Sequence, residues 1–562
     1  MKRLVMRLTA VAAVIGFAAL GGAPGASAAN YVPVSGSGST WSQNALDQWT
    51  RDVKSNFGIV VNYAGTGSSD GRNQFRSGTV DFAVSEIPYG IVQGGNPDPL
   101  PSRQFAYMPI VAGGTAFMYN LTIGGKRVTN LRLSGETVTK IFTGVIRRWN
   151  DPQIAKDNPG LTMPNRAIVP VVRSDGSGTS AQFTTWMAAQ HQGLWDAYCK
   201  RAGLQTPCGT LSQYPVVAGS GFTAQAGSLG VSGYVAQANN VGTINYVEYS
   251  YALNSGFPVV KLLNKAGYYI EPTASSVAVA LTQAKIRSDL TSDLRPVYNY
   301  GDPRTYPMSS YSYMIIPLST ANNFSTDKGY TLAAFAKYFL CQGQKKAPLL
   351  GYSPLPINLV QAGFTQIRKI PGANVGSITI ASCDNPTFSS SGENLLAKTA
   401  PKPQACDKVG ATTQCPNGTG GAANTPTVVK GSGGSGSGSG GGGSGTTGGG
   451  TTNGGTTGGG TTTGGTTGGG TTAGGTTNGT TTGGQAGGAG GTAVDPVTGE
   501  NLGGAGASGD VQQVAAASPI TIGADPASSS ASIVVLAVIM LVGVIVVPPI
   551  VFGVLRSRDS QP

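Results

Sequence analysis

Residues 417–493 are dominated by Gly, Ser and Thr and repeat Thr-Thr-Gly-Gly units. Such a tract buries too little apolar surface to offset the entropy of ordering its backbone, so it cannot build a core. The whole stretch 417–530 is expected to be a disordered linker, spanning roughly 55–65 Å as a coil. Any globular fold must therefore come from residues 30–416.

The two ends carry separate signals. Lys2, Arg3 and Arg7 lead an apolar run from Leu8 to Leu20, followed by Ala26-Ser-Ala28. This is the pattern of a secretory signal peptide over 1–29, cut after Ala28 or Ala29. At the other end Ile533–Leu555 is almost wholly apolar, interrupted by Pro548-Pro549. That is long enough to cross a bilayer, so 531–555 is expected to be a transmembrane helix. Arg556 and Arg558 follow it and place the tail, 556–562, in the cytoplasm. The expected location is extracytoplasmic, anchored in the cell membrane.

Of the formal net charge of +12, residues 30–416 hold +11. A basic surface favours anionic partners. No dense Lys/Arg run or basic–aromatic stripe is present, which argues against nucleic acid. All six cysteines lie between 199 and 415. An even count in an exported chain indicates disulfides, and sequence proximity pairs Cys199–Cys208, Cys341–Cys383 and Cys406–Cys415. Zinc is the alternative, but no Cys-x-x-Cys occurs, and the sole histidine, His191, reads as a surface polar residue in a helical run. No metal or cofactor is expected.

Residues 30–384 alternate β-rich runs (Ile59–Ala64, Val80–Val84, Ile168–Val172, Thr243–Tyr249, Tyr311–Pro317) with helical patterns. The latter lie near 41–57, 134–143, 179–190, 274–287 and 327–341. This alternation predicts an α/β fold with largely parallel sheets. The segment exceeds one typical core, so two lobes are expected. The first helical pattern places Trp41, Ala45, Trp49, Val53 and Phe57 at i, i+4 steps.

Three glycine- and hydroxyl-rich turns each lead into a helix: Ser35–Trp41, Gly65–Gly71 and Arg173–Ser180. A helix N-terminus presents unpaired N–H groups and a partial positive charge, and so seats anions. In the third turn Ser177 or Thr179 can cap the helix. Arg173 can grip an oxyanion with two parallel N–H bonds, and Asp175 is placed to orient its guanidinium. Gly67-Ser-Ser-Asp-Gly71 also fits Gly-x-Ser-x-Gly, the nucleophile pattern of hydrolases. A serine triad would need His191, which shows no sign of facing the turns. A phosphatase would need metal ligands or a nucleophile with its base, and neither is visible.

Taken in order, Gly36–Trp41, Gly65–Gly71, Val80–Glu86, Arg173–Ser180 and Ile244–Tyr249 resemble the motifs of the phosphate-binding protein of Pst-type ABC transporters. Gly144–Asp151 is similar to that family's intervening segment. This family lies within the periplasmic-binding-protein superfamily, and the resemblance covers roughly residues 31 to 370. It implies two lobes with a ligand cleft between them: 30–111 plus 266–384, and 112–265. Residues 385–416 form a Cys-containing extension. It implies that inorganic phosphate is bound by Thr40, Trp41 (through its backbone N–H), Ser68, Glu86, Arg173, Ser177, Gly178 and Thr179, with Asp175 supporting Arg173. It further implies delivery to the permease subunits of an ABC importer, and no enzymatic activity. Where the family usually has Asp, this chain has Glu86. A surface protein using the same lobes to bind a wall polymer or another protein is the rival reading, and a phosphatase-like relative is a second.

Overall fold

The structure is a computed structural model that describes residues 31–93, 96–376, 379–383, 385–389 and 393–428. The expected signal peptide, the linker from 429 onward, the membrane helix 531–555 and the tail 556–562 lie outside the described residues. No helix among the described residues is long and apolar enough to cross a membrane.

Strand β1 (Val34–Gly38) leads through the first turn into helix α1 (Gln43–Phe57). That helix buries Ala45, Leu46, Trp49 and Val53, so its apolar stripe faces the core as the i, i+4 spacing requires. Phe57 does not join them: it is 48% exposed and sits edge-on to Tyr338. Gly58 ends the helix at φ 69°, a left-handed cap that glycine adopts without strain. There follow β2 (Val61–Ala64), α2 (Ser68–Ser77), β3 (Phe82–Ser85) and the long β4 (Phe105–Ala116). Next come β5 (Val169–Arg173), α3 (Gly178–Gln190), β6 (Thr223–Gln225), α4 (Gly227–Ala236), β7 (Thr243–Asn245) and β8 (Val247–Glu248). After α5 (Ala274–Leu281), β9 (Ser309–Pro317) and α6 (Thr326–Leu340) complete the main elements.

Two sheets organise them. A six-stranded sheet runs β8-β4-β9-β3-β1-β2, and a three-stranded sheet runs β6-β5-β7. The smaller sheet is parallel throughout, as strand–helix alternation predicts. The larger is mixed: β1 is parallel to β2 and β3, but β9 is antiparallel to β3 and β4, and β8 to β4. Alternation dictates direction only where a helix carries the chain between neighbouring strands. The neighbours of β9 are far from it in sequence, so their direction has no local signature. The helical pattern at 274–287 is also cut short. The helix stops at Leu281, and Lys285–Ile286 pairs back on Ser292–Asp293 around a turn closed by Asp289 and Thr291.

The chain passes between the sheets at two aromatic residues. Phe117 follows β4, and Tyr246 alone separates β7 from β8. Phe183, on the inner face of α3, packs on both, with ring centroids 5.4 and 5.0 Å away. The helix that starts at the third turn is thereby seated on the crossing itself.

All three disulfides follow the proximity pairing: Cys199–Cys208, Cys341–Cys383 and Cys406–Cys415. Composition assigns residues 417–428 to the linker, yet they pack into the fold. Thr419 is fully buried, and its Oγ1 lies 3.0 Å from the Thr129 carbonyl and accepts from Val259 N at 3.0 Å. Thr427 Oγ1 accepts from Thr129 N at 2.7 Å. Backbone and hydroxyl hydrogen bonds, not apolar area, hold this segment, which is why a hydropathy argument misses it.

Candidate functional site

The first turn is built by its carbonyls. Tyr63, Tyr251 and Tyr352 donate their phenolic protons to the carbonyls of Ser39, Thr40 and Trp41 respectively, at 2.8 Å for Tyr63 and 2.7 Å for Tyr352. Three successive peptide groups are pinned by tyrosines from three separate segments, ahead of the N-terminus of α1.

The second turn owes its shape to Gly67, whose φ is 97°. A Cβ there would lie 2.7 Å from Asp175 Oδ2 and 3.0 Å from the Gly176 carbonyl. Glycine is needed both for that conformation and for the approach of the third turn. The contact continues at Ser69, whose N–H donates to Gly176 O at 3.0 Å.

In the third turn Ser177, not Thr179, caps α3: its Oγ accepts from Ser180 N at 3.2 Å. Thr179 Oγ1 is buried with no hydrogen-bond partner among the described residues. Arg173 is only 2% exposed. Its Nε donates to Asp175 Oδ1 at 2.7 Å, its Nη2 to Oδ2, and its Nη1 to Ser228 Oγ at 3.3 Å. Burial alone would raise the Asp175 carboxyl. The Arg173 hydrogen bonds and charge, with the Gly227 N–H at 2.9 Å, outweigh it and hold the group below the ordinary carboxylate range.

Glu86 stands where these turns meet. It is 1% exposed. Ser39 and Ser312 donate to its Oε1 at 2.5 and 2.8 Å, and Ser68 donates to its Oε2 at 2.7 Å. Burial pushes its carboxyl above the usual range, against the pull of those three hydroxyls and the Arg173 charge. Its extra methylene does not swing it outward. A Cβ added to Gly178 would fall 2.1 Å from Oε2 and 2.6 Å from Ser68 Oγ, so the carboxylate faces the start of α3.

All eight sequence-predicted contact residues, Thr40, Trp41, Ser68, Glu86, Arg173, Ser177, Gly178 and Thr179, are buried. Contacts across the turns cover them: Thr40 Oγ1 lies 2.9 Å from Ser228 Oγ, and Ser69 Oγ donates to Ser212 Oγ at 3.1 Å. Sequence reading missed Ser228, Ser312 and the three tyrosines. Ser228 is the second residue of α4, after Gly227, a fourth glycine–hydroxyl helix start that the preceding polar strand β6 does not advertise. Ser312 lies inside β9, where no local pattern marks it.

The hydrolase pattern finds no support. Ser69, its central serine, bonds Ser212. His191 is not a free surface residue: it joins α3 to the next helix, Gln192–Arg201, and is half-buried with its ring edge-on to Trp186 at 5.2 Å. Burial lowers its pKa, opposed by Glu136.

Two α/β sheets joined by crossing strands, with helix N-termini and a guanidinium enclosed between them, define a bilobal binding protein. The description "PBP superfamily domain" matches residues 23–342. The chain is 31% identical over 338 residues to the phosphate-binding protein PstS of Xylella fastidiosa, covering 60% of this chain and 85% of that one. It is 29% identical over 331 residues to PstS of Pasteurella multocida, covering 58% and 88%. With PstS 2 of Mycobacterium tuberculosis it shares 30% over 328 residues, covering 57% and 82%. The chain therefore belongs to the PBP superfamily and, within it, to the family of PstS-like phosphate-binding proteins.

Proposed function

We propose that this protein binds inorganic phosphate outside the cytoplasm and delivers it to the permease subunits of an ABC importer. The observation that carries the reading is a pair of opposite demands in one buried space. Arg173 and the N-terminus of α3 ask for an anion. Glu86, fully desolvated beside them, asks that the anion bring a proton. Phosphate near neutral pH satisfies both, whereas sulfate has no proton to give.

In this reading Thr40, Ser68, Ser177 and Thr179 contribute hydroxyls, and Trp41 and Gly178 contribute backbone N–H groups. Arg173 contributes the charge, held in one orientation by Asp175, and Glu86 accepts the ligand's proton in a charged hydrogen bond. Because these groups are buried, phosphate enters only when the lobes part and the Thr40–Ser228 and Ser69–Gly176 contacts break. Closure restores them and gives the permease a loaded shape to recognise. The lobes are residues 30–111 plus 266–384, and 112–265. The apolar stretch 531–555 tethers the protein, and the Gly/Thr-rich stalk sets its reach.

Calorimetric titration of the full-length protein with phosphate, arsenate, sulfate and a phosphonate tests the reading, with a chromogenic phosphate ester as the control for hydrolysis. Stoichiometric phosphate binding, well ahead of sulfate and without turnover of the ester, is expected. Equal affinity for sulfate, or steady hydrolysis, overturns it.

A further inference from the structure

The hydroxyls around Glu86 are not distributed evenly. Oε1 takes two donors, Ser39 at 2.5 Å and Ser312 at 2.8 Å, while Oε2 takes one, Ser68 at 2.7 Å, and faces Gly178. Ser312 has one proton and two neighbours, Glu86 and, at 3.2 Å, Ser42 Oγ. The shorter contact, to the carboxylate, is the stronger of the two. Ser312 comes from the middle of β9, on the far side of β3, the strand that Glu86 follows. It is fully buried.

We propose that Ser39 and Ser312 are positioning residues that tie down one oxygen of Glu86 as an acceptor, so that the other reads the proton on the bound anion. The inference rests on the phosphate reading above. A carboxylate buried to this extent tends to take up a proton and become neutral. A neutral Glu86 can donate to sulfate, and the site then loses its ground for rejecting it. Hydroxyls that donate favour the ionised form, because a hydrogen bond to a charged acceptor is stronger than the same bond to a neutral acid. Ser39 and Ser312 thus do two things together: they keep the charge, and they aim Oε2 at the start of α3. Arg173 favours the ionised form of Glu86. The Tyr63 phenol, held neutral by burial and by the charges of Glu86 and Asp47, lies within its electrostatic reach.

The readout is the pH profile of selectivity. As pH falls through the Glu86 pKa the carboxylate protonates, and sulfate begins to compete. Removing a donor to the ionised form raises that pKa, so in Ser312→Ala and in Ser39→Ala the onset of sulfate competition moves to higher pH. A hydrogen bond to a charged group is worth enough that the phosphate-to-sulfate affinity ratio should fall about 10-fold near neutral pH. Affinities for both anions are measured by competition on the full-length protein from acid to mildly alkaline pH, with thermal unfolding confirming that each variant is folded. Two independent serines guard against one variant failing to fold. Profiles of the folded variants that overlay the parent's overturn the proposal and leave the phosphate reading intact. A parent that does not prefer phosphate to sulfate at any pH overturns the phosphate reading itself.

Discussion

Glu86 Oε2 and the α-carbon of Gly178 face each other so closely that a single added carbon on Gly178 would sit 2.1 Å from the oxygen. One residue directly follows β3 of the large sheet, and the other begins α3 beside the small one, so this contact measures how tightly the two halves meet. Gly178→Ala forces either the Glu86 side chain or the whole start of α3 to move. Overpacking of this kind costs about 1–3 kcal/mol, here in the closed form only. The expected outcome is a protein that folds but closes poorly. Its phosphate affinity should drop at least ~10-fold, while its thermal midpoint without ligand stays near the parent's. A variant that binds like the parent would show that the site does not close on Gly178.

Arg173 is the charged donor of the site, and Asp175 holds two of its nitrogens. Arg173→Ala removes hydrogen bonds worth about 1.5–3 kcal/mol each when made to a charged partner, so phosphate binding should weaken ~100-fold or more. Arg173→Lys keeps the charge but not the fork, and should recover only part of the loss. The same pair sets a pH trend. The folded-state pKa of Asp175 is depressed, so its stabilising contribution is present above the unfolded-state pKa and is lost as pH falls through the folded one. In Arg173→Ala that acid-side loss of stability should be smaller than in the parent, because the interaction that depressed the pKa is gone. Thermal unfolding followed against pH checks it.

The three turns were legible because each is a local pattern: a few glycines and hydroxyls, then a helical stripe. Ser177, Arg173 and Asp175 could be read together for the same reason, lying within five residues on one loop. Ser312 could not, since a serine inside a buried strand has no neighbour in sequence that explains it. Nor could Tyr251 and Tyr352, whose phenols reach the first turn from more than two hundred residues away in the chain. The direction of β9 and the packing of Thr419 were hidden alike. Both depend on which distant backbone groups need a partner, and composition and periodicity do not carry that information.

Glu86→Gln separates the charge of the residue from its shape. An amide of the same size can still accept on its oxygen, but its NH2 can also donate to an anion that lacks a proton. Phosphate should bind less tightly and sulfate more tightly, narrowing the ratio between them. The pH dependence of that ratio seen in the parent should flatten, because position 86 no longer titrates. An unchanged ratio in competition binding would remove Glu86 from the selectivity mechanism.

Residues 417–428 set where the chain can be shortened. Thr419 Oγ1 and Thr427 Oγ1 supply acceptors for the Val259 and Thr129 N–H groups. Gly421 N–H reaches the Phe257 carbonyl at 2.9 Å, and Gly420 N–H reaches Glu271 Oε1 at 2.6 Å. A chain ending at Pro416 leaves those groups without their partners, and each buried group left unpaired costs about 1–3 kcal/mol. It should therefore unfold at a clearly lower temperature. A chain ending after Lys430 keeps all four contacts and loses the stalk, the apolar stretch 531–555 and the short tail. It should match the full-length protein in phosphate affinity and appear in the medium rather than in the membrane fraction. Equal thermal midpoints for the two truncations would show that 417–428 contributes nothing to the fold. Retention of the longer truncation in the membrane fraction would mean that 531–555 is not the anchor.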